Sequence, residues 1–389
     1  MLIGALSVCA TASAAELTSG NCGSGVKYSF DNKTGTLTVS GKGKMTDYRK
    51  RSLSLFSGRR EIKSVVIKKG VLSLGDNTFY DCTNITEVSL PSGLKNIGKY
   101  AFWNCNSLMN IKIPKSVKHI GYNAFSYTKY YNTDEKWDYG VLYIGDCLVA
   151  TNDVLEGKCK IKNGTRLIAK YAFSNGVDLT SVTFPESVTY IDEGTFSGCM
   201  DLTSVKLTGK IKTVGESAFF GCKSLNKLEI KEGTAKIGQY AFNCCDGIKT
   251  IKLPLSLKKI EFAAFYPCDG LKNVYYPGTK AQLDKIKVKK SNGPLFRAAL
   301  HCKDDVKSLK LKGKKKAFKA SWKKVKGAKK YEVMYSLKKD MTNAKTVKSK
   351  KNTVTVKNLK SGKKYYVQVR AVRGKEKSQW TKAKAVKTK

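Results

Sequence analysis

The sequence predicts a solenoid of stacked parallel β coils with short helical turns, 23 residues to the coil, followed by a small all-β sandwich. Three observations carry this reading: phenylalanines at one fixed spacing, an aliphatic block that recurs ahead of them, and an abrupt change of composition near Val306. Phe79, Phe102 and Phe125 are 23 residues apart, as are Phe173, Phe196, Phe219, Phe242 and Phe265, and Phe56 extends the ladder backwards. A period of this length with regularly spaced aliphatics marks a leucine-rich solenoid, in which one coil alone cannot bury its apolar side and neighbours must stack.

Each element of the coil has a physical reason. The block L-x-x-V/I-x-L/I recurs as Ile85-Val88-Leu90, Leu108-Ile111-Ile113, Leu202-Val205-Leu207 and Ile248-Ile251-Leu253. Its alternation is that of a short strand with one buried face. Ile97-Gly98, Ile120-Gly121, Val214-Gly215 and Ile237-Gly238 follow, and glycine there is expected to mark a bend that a residue without Cβ turns easily. Ala-Phe then forms a short helical turn that drops the ring into the core. Cys82, Cys105, Cys199, Cys222, Cys245 and Cys268 each sit three residues after a ladder phenylalanine.

The full pattern L-x-x-I-x-L-P-x-x-V-x-x-I-G-x-x-A-F-x-x-C resembles the BspA-like leucine-rich repeat family of bacterial surface proteins, over roughly residues 20 to 305. Gly35 to Gly43 resembles that family's N-terminal capping hairpin, and Val274 to Thr279, running on to His301-Cys302, its C-terminal cap. The resemblance implies surface attachment and binding of host or matrix macromolecules.

The expected domains are a signal peptide at 1–15, an N-terminal β cap at 16–55, the solenoid at 56–305 and a second domain at 306–389. The solenoid carries an insert at 126–158 and a C-terminal cap at 266–305. Leu2 to Ala14 is short and apolar, and Ala12-Ser13-Ala14 fits an A-x-A cleavage site, although a basic n-region is missing, as in a truncated or misassigned start. Export makes cysteines candidate disulfides. The chain has 12, and 11 would remain without Cys9. Side chains in one repeat column point the same way, so the six column cysteines read as buried thiols, small hydrophobes rather than bridges. Cys268 with Cys302 stays open as a cap bridge. Zinc is not expected, since there is no C-x-x-C pair and His119 and His301 are far apart.

From Phe125 to Phe173 the spacing is 48, two periods plus two. The extra stretch holds Tyr127, Tyr130, Tyr131, Trp137, Tyr139 and Tyr143, and Val141 to Ala150 reads as a hairpin about a Gly145-Asp146 turn. Two readings of these rings stand side by side: a ligand platform, or a cover over the hairpin that seals the solenoid edge.

From Val306 to Lys389 there are 28 Lys and 2 Arg against 3 acidic residues, a net +27, which leaves +16 of the chain's +43 to the first 305 residues. Strands are legible through the lysines at Ala317 to Trp322, Tyr331 to Ser336, Thr353 to Val356 and Tyr365 to Val372. Trp322, Tyr331, Leu359 and Tyr365 resemble a fibronectin type III module. Leu359-Lys360-Ser361-Gly362-Lys363-Lys364-Tyr365 is similar to its L-x-P-G-x-x-Y corner, with Ser for Pro.

Such a charge attracts polyanions with strong salt dependence, or it solvates strand faces and keeps edges from pairing. Both remain open for the sandwich. On the solenoid the residue before the last strand aliphatic gives the row Ser89, Lys112, Lys160, Thr183, Lys206, Glu229, Lys252 and Tyr275. Lys112, Lys160, Lys206 and Lys252, with Tyr130, Tyr131, Trp137 and Tyr139 of the insert, are the candidate ligand-binding residues. No nucleophile elbow, H-E-x-x-H helix or P-loop occurs. The expectation is therefore a non-enzyme without cofactor: a monomeric, exported bacterial surface protein. Its expected partners are an extracellular glycan or a host or matrix protein, and anionic cell-wall polymers, with no specific intracellular nucleic acid and no transmembrane segment. The alternative is a structural envelope component held by electrostatics with no specific ligand.

Overall fold

The computed structural model describes residues 16–302, 305–374 and 376–389, so the signal-peptide segment lies outside the described residues. The chain divides into two compact units, residues 1–138 with 142–149, and residues 139–141 with 150–389.

The first unit starts from a hairpin. Ser19–Asp31 pairs antiparallel with Thr36–Met45, with Phe30 opposite Leu37. The second strand is long enough to seed two sheets. Its first half pairs in parallel with Ser64–Ile67, and its second half with Val71–Leu74. Outward from these, Glu87–Ser89 and Asn110–Ile111 extend one ladder, while Asn96–Ile97 and His119–Ile120 extend the other. Tyr28 packs its edge on Phe56 at 5.0 Å, which closes the ring column at that end. In the second unit, Gly157–Lys160, Leu179–Thr183 and Ser204–Lys206 form one parallel sheet, and four later strands ending in Ala299–His301 form another.

The ladder phenylalanines are the core. In the first unit Phe56, Phe79, Phe102 and Phe125 stack at 5.6, 5.3 and 5.6 Å between ring centroids. In the second, Phe173, Phe196, Phe219, Phe242 and Phe265 stack at 4.7, 5.1, 5.2 and 5.2 Å. The expected helical turns take the form of single i→i+3 turns, as where Cys82 N–H donates to the Phe79 carbonyl. Their other amides reach the next coil. Phe102 N–H donates to Ala124 O, and Phe219 N–H to Ala241 O, both at 2.8 Å. The column cysteines add a third link, each Sγ donating to the phenylalanine carbonyl of the coil before: Cys105 to Phe79 at 3.2 Å, Cys222 to Phe196 at 3.2 Å and Cys268 to Phe242 at 3.0 Å. Burial pushes the thiols of Cys82 and Cys268 up to about 12, so they stay protonated donors. Cys268 is spent in this way, and no disulfide joins it to Cys302.

The glycine reading needs correction. Gly98, Gly121 and Gly238 do not hold left-handed backbone. A Cβ on Gly98 would lie 2.4 Å from the Gly75 carbonyl carbon, and one on Gly238 would lie 2.5 Å from that of Gly215. These glycines let successive coils touch backbone to backbone. Positive φ falls instead two residues before and two after each ladder phenylalanine from Phe79 to Phe242, at Tyr100 (54°) and Asn104 (56°), and at Ser217 (50°) and Gly221 (71°). Nothing lies closer than 3.9 Å to a Cβ built on Gly221. Gly221→Val is therefore expected to cost about 2 kcal/mol through backbone strain alone. Gly221→Asn should cost next to nothing, because Asn104 and Asn175 already occupy the equivalent position. Urea melts of the two variants check this.

Residues 306–389 form the sandwich. Lys310–Lys314, Ala317–Ser321 and Thr353–Val356 make one sheet, and Lys345–Ser349, Lys330–Ser336 and Lys364–Arg373 lie side by side in the other. Between them lie Phe318, Trp322, Tyr331, Val333, Tyr365, Val367 and Val369. Tyr365 Oη accepts from Lys360 N–H at 3.2 Å, closing the corner across Gly362. Lysines take the outward positions of strands such as Lys310–Lys314.

Glu332 is the buried charge of this domain. Arg370 reaches it at 2.6 Å and Lys377 at 3.2 Å. Burial pushes its carboxyl up, but the hydrogen bonds from Arg370 and Lys377 outweigh burial and hold it below the usual glutamate value. The stability this provides is complete above the unfolded-state value of about 4.3 and is lost as pH falls through the lowered folded value. Glu332→Gln is expected to cost about 2 kcal/mol at neutral pH. The gap to the parent chain should close in denaturant melts taken below that value.

Candidate ligand-binding surface

The strand faces place the candidate lysines in the open. Lys112, Lys160, Lys206 and Lys252 are all exposed. In the second unit Lys160 neighbours Thr183, which neighbours Lys206. On the later sheet Glu229, Lys252, Tyr275 and His301 stand in register on four successive strands. Neighbouring strands lie about 4.8 Å apart, so alternate members of a row sit about 10 Å apart. Lys160 and Lys206 thus form one basic pair and Lys252 belongs to a separate, mixed row. Lys112 belongs to the first unit, just past Asn110–Ile111. The three lysines of the second unit thus lie on two rows.

Sequence reasoning left His301 in the cap and out of this row. The structure stacks it on Tyr275, centroids 4.4 Å apart and planes 14° from parallel, with its Nε2 3.0 Å from Asn273 Oδ1. Burial, with Lys382 and Lys307 nearby, lowers the imidazole's pKa, so the ring is neutral at physiological pH. The step from Tyr275 to His301 is 26 residues rather than 23, which hid the alignment.

The insert aromatics divide. Tyr130 is committed to the hairpin, its hydroxyl donating to Tyr143 O at 2.7 Å, with Lys136 Nζ 5.5 Å from its ring centroid. Tyr131 and Trp137 meet edge to face at 5.0 Å, and Trp137 Nε1–H donates to Tyr131 O at 2.8 Å. Tyr127 links this pair to Trp103, which stacks on Tyr80 at 4.4 Å. The first unit therefore carries a connected row of rings, Tyr80, Trp103, Tyr127, Tyr131 and Trp137. Its first two members come from regular coils and were missed in the sequence. Tyr139 belongs to the second unit and is 90% exposed.

Stacked coils of fixed period together with an antiparallel sandwich define a leucine-rich repeat solenoid protein with a fibronectin type III-like domain. Residues 45–147 and 166–291 match the BspA type leucine-rich repeat region in 6 copies, and residues 305–384 match the fibronectin type III domain. The chain belongs to the BspA-type leucine-rich repeat family. Among solved structures it is similar to a leucine-rich cell surface protein of Faecalibacterium prausnitzii A2-165, at 24% identity, covering 68% of this chain and 96% of that one, with a TM-score of 0.39. It is also similar to a leucine-rich repeat protein of Bacteroides ovatus ATCC 8483, at 22% identity, 68% and 66% coverage and a TM-score of 0.34. The pneumococcal vaccine antigen PcpA is similar at 14% identity, with 72% and 97% coverage and a TM-score of 0.34. No curated protein matches the chain.

Proposed function

We propose that this is an exported, surface-associated bacterial binding protein. Its solenoid recognises an extracellular macromolecule, a glycan or a matrix protein, and its basic sandwich holds it to anionic cell-wall polymers. The observation that carries the reading is the open strand face. Polar, cationic and aromatic side chains stand there in register, from Lys160 to Lys206 and from Glu229 to His301. A solenoid presents such a face to an extended ligand. The outward lysines of the sandwich support the tether, since a net +27 attracts polyanions whatever their sequence or shape.

The test places the full chain, and the isolated 306–389 sandwich, on an array of glycans and matrix proteins at about 50 and about 500 mM salt. Selective hits by the full chain that survive high salt are expected. If all binding follows the sandwich and disappears in salt, recognition by the solenoid is wrong, and the protein is an envelope component held electrostatically.

A further inference from the structure

Within the second unit an open cleft of about 820 Å³ lies between the last coils and the sandwich. The coils supply Lys252 and the stacked pair Tyr275 and His301; the sandwich supplies Lys307, Trp380 and Lys382. Tyr275 is 42% exposed, so its ring is available. Trp380 is held in place before any ligand arrives. The Arg370 guanidinium lies 4.3 Å from its ring centroid, and Arg370 is itself fixed by Glu332 at 2.6 Å. Aromatic surfaces that need no reordering are efficient anchors.

The cleft lining carries four lysines, Lys231, Lys252, Lys307 and Lys382, against Glu229, Glu232 and Asp305. Glu229 is paired with Lys231 at 3.0 Å, and Glu232 accepts the amides of Leu255 and Ser256 at 2.8 and 3.2 Å. Asp305 accepts Cys302 N–H at 2.7 Å. Lys252, Lys307 and Lys382 form no ion pair among the described residues. Lys252 also acts on the Glu229 carboxylate, so Lys307 and Lys382 of the sandwich are the ammonium groups most open to an anionic ligand. Lysine, a compact point charge, suits a carboxylate without demanding the planar two-point geometry that arginine imposes. The His301 ring, stacked on Tyr275, extends the flat surface.

We propose that this cleft binds an acidic saccharide, with a pyranose ring packed against Tyr275, His301 and Trp380 and its carboxylate facing Lys252, Lys307 and Lys382. The C–H face of a pyranose matches an aromatic ring, and its hydroxyls match Gln379 and Thr381 of the cleft lining. The proposal rests on the surface-binding reading above and names the ligand class for one site within it.

The test uses the full chain and three carboxylated probes: a hyaluronan tetrasaccharide, tri-galacturonic acid and sialyllactose. Chitotetraose is the neutral control, and affinities are read by calorimetry and tryptophan fluorescence. At least one acidic probe should bind about tenfold or more tightly than chitotetraose, and which one identifies the source of the ligand. Trp380→Ala and Tyr275→Ala should each weaken it about tenfold. Trp380→Phe should retain most of the affinity while abolishing the fluorescence response. Exchange of the two sandwich lysines, Lys307→Gln with Lys382→Gln, should bring the acidic probe down to the level of the neutral one without altering the latter. The cleft proposal is overturned if no acidic probe exceeds chitotetraose, or if the aromatic and lysine variants bind as the parent does. Either result leaves the surface-binding reading standing when salt-resistant array hits persist; loss of those hits is what removes that reading.

Discussion

Phe219→Ala is expected to remove about 4 kcal/mol from the stability of the second unit. Phe219 is fully buried and central in its ring column. It stacks on Phe196 at 5.1 Å and on Phe242 at 5.2 Å, with planes 7° and 2° from parallel. Deleting it opens a cavity and breaks two ring contacts at once. The coil backbone cannot collapse into the gap, because Phe219 N–H is bonded to the next coil and Phe219 O accepts Cys245 Sγ. Phe265 has one stacking neighbour in the column, Phe242. Phe265→Ala should therefore cost less, by about 1 kcal/mol. Denaturant melts followed by circular dichroism measure both. A cost below about 2 kcal/mol for Phe219→Ala would mean that inter-coil hydrogen bonds, rather than the rings, hold the stack.

Asn292→Ala is the second large effect, expected at about 3 kcal/mol. In inner coils the ladder amide donates to the next coil, as Phe242 N–H does to Ala264 O at 2.8 Å. Phe265 has no such coil after it. Its amide donates to Asn292 Oδ1 at 3.1 Å, while Asn292 Nδ2 donates to Glu261 O at 2.9 Å and Lys289 O at 3.0 Å. This side chain, 1% exposed, stands in for the peptide group of a missing coil. Truncating it leaves one buried donor and two acceptors short of a partner, each costing about 1 kcal/mol or more. Hydrogen exchange gives the specific readout. The Phe265 amide should lose protection in Asn292→Ala while the Phe219 amide keeps it. Unchanged protection at Phe265 would refute the role.

The legibility of this chain follows from how its contacts are spaced. A residue in an inner coil meets its counterpart 23 positions away, so the period in the sequence is itself the contact map. Phe79 to Phe102 and Lys160 to Thr183 are of this kind, and each column thiol reaches a phenylalanine carbonyl at an equally regular 26 positions, as Cys105 does to Phe79. The sandwich was legible for a similar reason, since alternation along Tyr365 to Val372 records a two-faced strand. Reading failed where one residue type serves two physical ends. Gly98 was assigned to a bend, yet it serves a close approach between backbones, and a sequence cannot distinguish an absent Cβ needed for φ from one needed for room.

By itself, then, the sequence determined the coil, its period, the ring and thiol columns and the presence of a basic sandwich, because each depends on neighbours at one repeated interval. Only the tertiary structure decided how the stack ends on Asn292, that His301 joins Tyr275, and that Trp380 and Lys382 come to the same cleft. Those partners do not meet at the 23-residue interval of the repeat. Their meeting depends on where the last coil places the cap and the sandwich, and no repeating pattern in the chain encodes it.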